Sequence, residues 1–140
     1  MPSYDTNNIF AKILRGELPS HRVYEDDRTL AFMDVMPRTD GHTLVIPKKP
    51  ARNLLDVEPG ELAYLMGVVQ KVGKAAVKAF DAEGLTIQQF NEEAGGQVVF
   101  HLHFHVLPRR AGLALKPPGG PFAAPDLLAG HAAKIKAALG

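Results

Sequence analysis

The chain has no cysteine and no tryptophan among its 140 residues. Without thiols it can form neither a disulfide nor a thiolate metal site, which excludes a stapled secreted scaffold. It also lacks an excess of charge. Sixteen Lys and Arg against fifteen Asp and Glu leave a formal charge of +1, too weak a field to argue for a nucleic-acid or membrane partner, so any bound anion has to be gripped locally. Long apolar runs are missing too: stretches such as "TLVIP" and "AYLMGVV" fall well short of the ~20 residues of a membrane span. The opening "MPSYDTNNIF" has neither the basic start nor the apolar core of a secretory signal, so a cytoplasmic protein is expected. What is present is ordinary for a globular domain. With 46% hydrophobic and 22% charged residues, a chain of this length can bury ~70% of the surface it would expose unfolded.

Hydrophobic spacing divides the chain into elements. "NNIFAKILRG" puts Ile9, Phe10, Ile13 and Leu14 on one helical face, with Asn7 or Asn8 as cap and Gly16 as stop. Strand-like runs follow around Val23, through "TLAFMD" to Asp34, and from His42 to Pro47, separated by turn-forming "EDD" and "VMPRTDG". From Glu58 to Phe80 the apolar positions keep helical period, with acids at the positively polarised end. Leu85 to Asn91 reads as a fourth strand, "EEAGG" as a hairpin-type connection, and Gln97 to Leu107 as a fifth and longest strand. After Pro108 the composition turns to proline and glycine, then from Asp126 to an alanine-rich helix. Strands, a helix and more strands with short links favour an antiparallel α+β domain. Residues 1–109 form its main body, and 110–140 add a Pro/Gly-rich loop and a C-terminal helix to the same domain.

The stretch "GGQVVFHLHFHVLPR" holds three of the six histidines, His101, His103 and His105, at every second position. On a strand, positions 98, 100, 102, 104 and 106 share one face and read Val, Phe, Leu, Phe, Val, a core-facing stripe. Gln97 and the three histidines would then point together at something other than the core. A metal site is one reading of that line, but His101 and His105 start ~13 Å apart on a strand, and no cysteine completes a structural set. The other reading is phosphorus chemistry. A neutral imidazole is a competent nucleophile near pH 7, and its neighbours can hold phosphate oxygens and move protons.

"HLHFHVL" matches the His-φ-His-φ-His-φ-φ signature, with φ apolar, of the histidine triad nucleotide hydrolases and transferases. "NNIFAKILRGELPS", "VYEDDRTLAFMDVMPRTDGHTLVIPKKP" and "NEEAGGQVVFHLHFHVLPR" resemble, in order and spacing, the nucleoside phosphoramidase branch and its bacterial relatives over residues 8–109. The resemblance implies a five-stranded antiparallel sheet with two principal helices, and a homodimer with a continuous ten-stranded sheet. It implies that His103 attacks the α-phosphorus to form a nucleotidyl-imidazole, that His101 orients it, that His105 serves the phosphate and leaving group, and that His42 joins the proton relay. It carries over Ile9, Phe10, Ile13, Phe32 and Val35 as a base pocket, Asp34 as the ribose carboxylate, and Asn91 and Gln97 as polar contacts to phosphate and leaving group. The implied substrate is a purine nucleotide conjugate such as a phosphoramidate or an adenylate. Dinucleoside polyphosphate hydrolysis, or a nucleotide-binding interaction module with incidental turnover, are the alternatives. No cofactor is implied, and a divalent ion enters only with polyphosphate substrates. Two departures stand out. Asn8 and Ala11 occupy the positions of a zinc-binding Cys-x-x-Cys, so no metal is expected, and Val98 replaces a hydroxyl residue that follows the Gly-Gln pair.

Overall fold

The computed structural model describes all 140 residues, in the order α1 (Ile9–Leu14), β1 (Arg22–Glu25), β2 (Thr29–Met33), β3 (Thr43–Pro47), α2 (Pro59–Ala79), β4 (Gly84–Gln88), β5 (Phe104–Arg109) and α3 (Pro125–Leu139). The strands make one antiparallel sheet in the order β1-β2-β3-β5-β4. The α+β expectation with five antiparallel strands therefore holds. Asn8 caps α1, its side-chain oxygen accepting from Ala11 N–H at 2.9 Å, and Gly16 leaves the helix at φ +79°, where a side chain would be strained.

The strand period of two assigns the two faces of the sheet. Val23, Ala31, Met33, Val45, Phe104 and Val106 point to one side and pack with α2 and α3 through Leu65, Val69, Val72, Leu128 and Ile135. Leu30, Phe32, Leu44 and Ile46 point to the other and form a smaller apolar cluster with Phe10 and Ile13 of α1 and the half-buried Leu14 and Val99. The large core thus stabilises the sheet from behind. In front, the smaller cluster lies beside the histidines, with Phe10 edge-on to His103.

The fifth strand differs from the sequence expectation. It begins at Phe104 rather than Gln97, and β4 ends at Gln88 rather than Asn91. A strand needs a neighbour, and the pairs Val45↔Phe104 and Gln88↔His105 are the last on either side. Beyond them the chain turns away. Gln89 and Asn91 bond each other's side-chain amides at 2.8 Å, and a 3-10 turn over Glu93–Gly95 replaces the expected hairpin. Val98, expected in the core, is 84% exposed. Leu102 nevertheless stays fully buried and bonds Ala51 O through its N–H at 2.9 Å. Burying a leucine stabilises by roughly 1.5–3 kcal/mol, so Leu102 and Phe104 hold the in-and-out alternation where the ladder has ended. That is why His103 still falls on the face opposite the helices.

Gly41, just before His42, shows how closely the two layers meet. Its φ is +84°, and a Cβ there would lie 2.7 Å from two ring carbons of Phe80 and 3.2 Å from Pro108. Gly41→Ala is expected to lower unfolding free energy by about 1–3 kcal/mol through left-handed strain and overpacking, read from urea midpoints; an unchanged midpoint would contradict this packing.

Candidate active site

Three backbone groups dictate how the histidine rings are protonated. His103 Nδ1 lies 2.7 Å from the carbonyl oxygen of His101. A carbonyl only accepts, so Nδ1 carries the proton and Nε2 keeps its lone pair. His42 is set the opposite way. The backbone N–H of Arg38 donates to His42 Nδ1 at 3.0 Å, which places the His42 proton on Nε2. That Nε2–H points to His105 Nδ1 at 2.9 Å, so His105 accepts on Nδ1 and carries its own proton on Nε2. Finally, His101 donates from Nε2 to Pro47 O at 2.8 Å and accepts the Tyr4 hydroxyl on Nδ1 at 2.6 Å. The neighbouring rings of His103 and His105, 5.0 Å apart between centroids, therefore present a lone pair and an N–H respectively. A nucleophile and a donor stand side by side.

Burial keeps all four rings neutral. His42 is pushed down to about 3, by loss of water first and then by the charges of His105, Arg38 and His103. His101 falls to about 4 through burial, with Pro47 O opposing the shift and His103 adding to it. His105 falls to about 4 through burial, His103 and Arg38, and burial also lowers His103. Asp34 moves the other way: loss of water raises it, while the Met36 N–H on its Oδ1 opposes the rise. Its Oδ2 lies 3.4 Å from His42 Nε2.

Asp34, His42 and His105 bring three potential ligand atoms within 4.8 Å of one another. They do not fit a cation as folded. With Arg38 N–H on its Nδ1, His42 holds a proton where the ion would need a lone pair.

The apolar residues carried over as a base pocket divide into two groups. Phe10, Ile13 and Phe32 sit together in the front cluster, with Phe10 edge-on to Phe32 at 5.4 Å and to His103 at 5.0 Å. Ile9 and Val35, at 49% and 42% exposed, stand outside that cluster, and Val35 O accepts Ala123 N–H at 2.9 Å.

Gln97, expected to share the histidine face, instead sits buried in the loop before it. Its Nε2 donates to Arg52 O and Val99 O, and its Oε1 accepts from Asn53 Nδ2 and Glu92 N–H. With the ladder ended, this amide does the work of a strand partner. Asn91 accepts Leu54 N–H on its Oδ1 and donates to Gln89. Both residues brace the loop that carries His101 and His103.

Sequence reasoning missed the groups that complete this brace. Arg52 makes two bonds to the Glu92 carboxylate, at 2.7 and 3.0 Å, and Asn53 adds a third at 2.6 Å. Glu92 has φ +62°, an unfavourable backbone for a non-glycine residue, held in place by these contacts. Tyr4 and Arg38 were missed as well, because a tyrosine 97 residues from its histidine and an arginine acting through its main chain leave no periodic signal.

Four neutral histidines, three buried and His105 half-buried, make stability depend on pH with a definite sign. Their folded pKa values lie below the ordinary ~6.5, so between pH 6.5 and 5 the unfolded chain binds more protons and stability falls as pH falls. Unfolding near pH 5 is expected to take up about three protons, on His42, His101 and His105, with His103 acting in the same direction, seen as a steep drop in Tm between pH 6.5 and 5, above the carboxylate range. A flat Tm across that interval would contradict the assigned burial.

The HIT domain family model matches residues 15–112. Protein hit of Bacillus subtilis is 42% identical over 103 residues, covering 74% of this chain and 71% of that protein. Adenylylsulfatase HINT3 of Arabidopsis thaliana is 38% identical over 102 residues, 73% of this chain and 52% of that protein. Among solved structures, a Hit-like protein involved in cell-cycle regulation from Bartonella henselae superposes with a TM-score of 0.91 at 53% identity, covering 97% of this chain and 99% of that one. A histidine triad nucleotide-binding protein from Sulfolobus tokodaii gives 0.87 at 33% identity, covering 94% and 91%. Signature, fold, ring geometry and family match all bear on the same residues, and the chain belongs to the HIT domain family of nucleotide-binding hydrolases and transferases.

Proposed function

We propose that this protein cleaves nucleoside 5'-phosphoryl conjugates, such as phosphoramidates and adenylates, at the α-phosphorus through a covalent nucleotidyl-His103 intermediate and releases a nucleoside monophosphate. The observation that carries the reading is the opposite protonation of two adjacent rings. The His103 Nε2 lone pair attacks phosphorus, the bond to the leaving group breaks with its electron pair, and His103 becomes a cation whose Nδ1–H rests on the His101 carbonyl. That carbonyl dipole stabilises charge where it develops. His105 Nε2–H donates to the phosphoryl or leaving-group oxygen. In the second step water attacks phosphorus, the P–N pair returns to His103, and the water proton is lost.

The nucleoside lies on the β2 side. Asp34, at the end of β2, accepts from the ribose hydroxyls, an arrangement that suits a carboxylate, and the base, a purine, packs over the edge of the front cluster by Ile9 and Val35. The name of the Arabidopsis relative, an adenylylsulfatase, supports an adenylyl conjugate as substrate class. The chemistry asks for no redox cofactor, and a divalent ion enters only with polyphosphate substrates. We also propose a homodimer. The sheet's outer strands are β1 and β4, α3 packs near β1, and β4 exposes Leu85 and Ile87 at 38% and 39%, a strand edge suited to pairing with a second copy.

With adenosine 5'-phosphoramidate, wild-type protein is expected to release AMP, and His103→Ala to lose at least about 10³-fold in kcat. Acid-free quenching and mass spectrometry should find one nucleoside monophosphoryl group on His103 in the wild type. Equal release by both proteins would reject the nucleophile.

A further inference from the structure

We infer that the Arg38 side chain makes this a site for conjugates whose leaving group departs as an oxygen anion, a sulfate, phosphate or carboxylate, in preference to an amine. The inference rests on the proposed hydrolysis and concerns what lies beyond the α-phosphorus.

The first observation is where the guanidinium is held. Arg38 Nε donates to Lys116 O at 2.7 Å and Nη1 donates to Gln88 Oε1 at 3.3 Å. Gln88 is the register partner of His105, and directly paired strand residues put their side chains on the same face. The cation is therefore fixed beside His105, on the β4 side. Its Nη2 makes no hydrogen bond within the protein and is open to solvent.

The second observation is the order of strands. Phe32 and Asp34 belong to β2 and its end, the attacking and donating rings to β5 and its approach, and Gln88 to β4, in the sheet order β2-β3-β5-β4. A conjugate whose nucleoside lies over β2 and whose α-phosphorus lies at His103 places its remaining group over β4. That group meets Arg38.

The third observation is a shortage of protons. An amine has to be protonated as it leaves, whereas sulfate, phosphate or carboxylate departs with the electron pair of the P–O bond and needs none. The one N–H offered by His105 is backed by His42 Nε2–H, and the other nitrogen of His42 is occupied by the Arg38 main-chain N–H, which has no proton to give. The relay is closed at its far end. The fixed charge of Arg38, on the β4 side, favours an anion there and opposes a protonated amine, offsetting the Asp34 carboxylate that lies within 4.8 Å of the His105 ring nitrogen from the other side. Val98, which follows the Gly-Gln pair, is 84% exposed and supplies no donor.

Arg38→Gln tests the side chain alone, since the main-chain N–H that fixes His42 is retained. Adenosine 5'-phosphosulfate and ADP serve as anionic-leaving-group probes and adenosine 5'-phosphoramidate as the amine probe, with kcat/KM measured for each at several salt concentrations. The ratio of either anionic probe to the phosphoramidate is expected to fall about 10–100-fold in the variant, the range of a charge-assisted hydrogen bond. Arg38→Lys, which keeps the charge but not the fork, should fall in between, and it reads the same ratio should the glutamine variant fail to fold. A loss confined to one anionic probe identifies which oxyanion the site takes. Ratios unchanged within about twofold in the folded variants would overturn the role of Arg38 while leaving the hydrolysis intact. Absence of AMP release from all three substrates by wild type would overturn the hydrolysis, and this inference with it.

Discussion

The chemistry of the site depends on one hydrogen bond, from His103 Nδ1–H to the carbonyl oxygen of His101. A free imidazole exchanges between two tautomers and rotates about two torsions, so only a fraction of its population offers a given lone pair in a given direction. Here a backbone oxygen two residues away selects both tautomer and orientation, without help from a carboxylate. The carbonyl can do this because its own residue is anchored: His101 is fully buried and bonded at both ring nitrogens, to Pro47 and Tyr4. The same device runs in reverse at His42, where a main-chain N–H selects the other tautomer. Backbone groups do not titrate, so the proton pattern survives changes of pH that would erase one built on acidic side chains.

The rest of the fold serves to keep that bond in place where no regular structure exists. His101 and His103 sit in a segment that has left the sheet, so its main-chain groups need other partners. Ala51 O takes the Leu102 N–H, and Gln97 takes Val99 O while its remaining bonds, to Arg52 O, the Asn53 amide and Glu92 N–H, tie the segment to its neighbours. Leu102 then ties the segment to the core behind it. Packing sets the position, side-chain hydrogen bonds set the path, and the backbone sets the ring. Each level acts on the one below.

This hierarchy explains what could be read from the amino acids. The helices were legible because their apolar spacing is long and their caps are local: Asn8 and the α2 repeat need no tertiary context. The histidine face was legible through Leu102, Phe104 and Val106, whose burial fixes parity. The length of the fifth strand was not, because a ladder ends where its neighbours end, and that is a property of β3 and β4. Gln97 followed the same error, since on a continuing strand it would share the histidine face, whereas in a loop its amide is drawn into the brace. The base-pocket residues were assigned as a set, yet Phe10, Ile13 and Phe32 are enclosed while Ile9 and Val35 lie at the rim. Tyr4 acts across 97 residues and Arg38 acts on His42 through its main-chain N–H, so neither leaves a side-chain pattern to read.

The contact between Lys116 O and Arg38 Nε joins the shared catalytic body to a segment that lies outside the matched family region, residues 15–112. A main-chain carbonyl is supplied by any residue at position 116, so the anchor of the guanidinium is set by the path of this Pro/Gly-rich strap and not by the side chain it carries there. Whatever shifts that path shifts a positive charge beside the histidines.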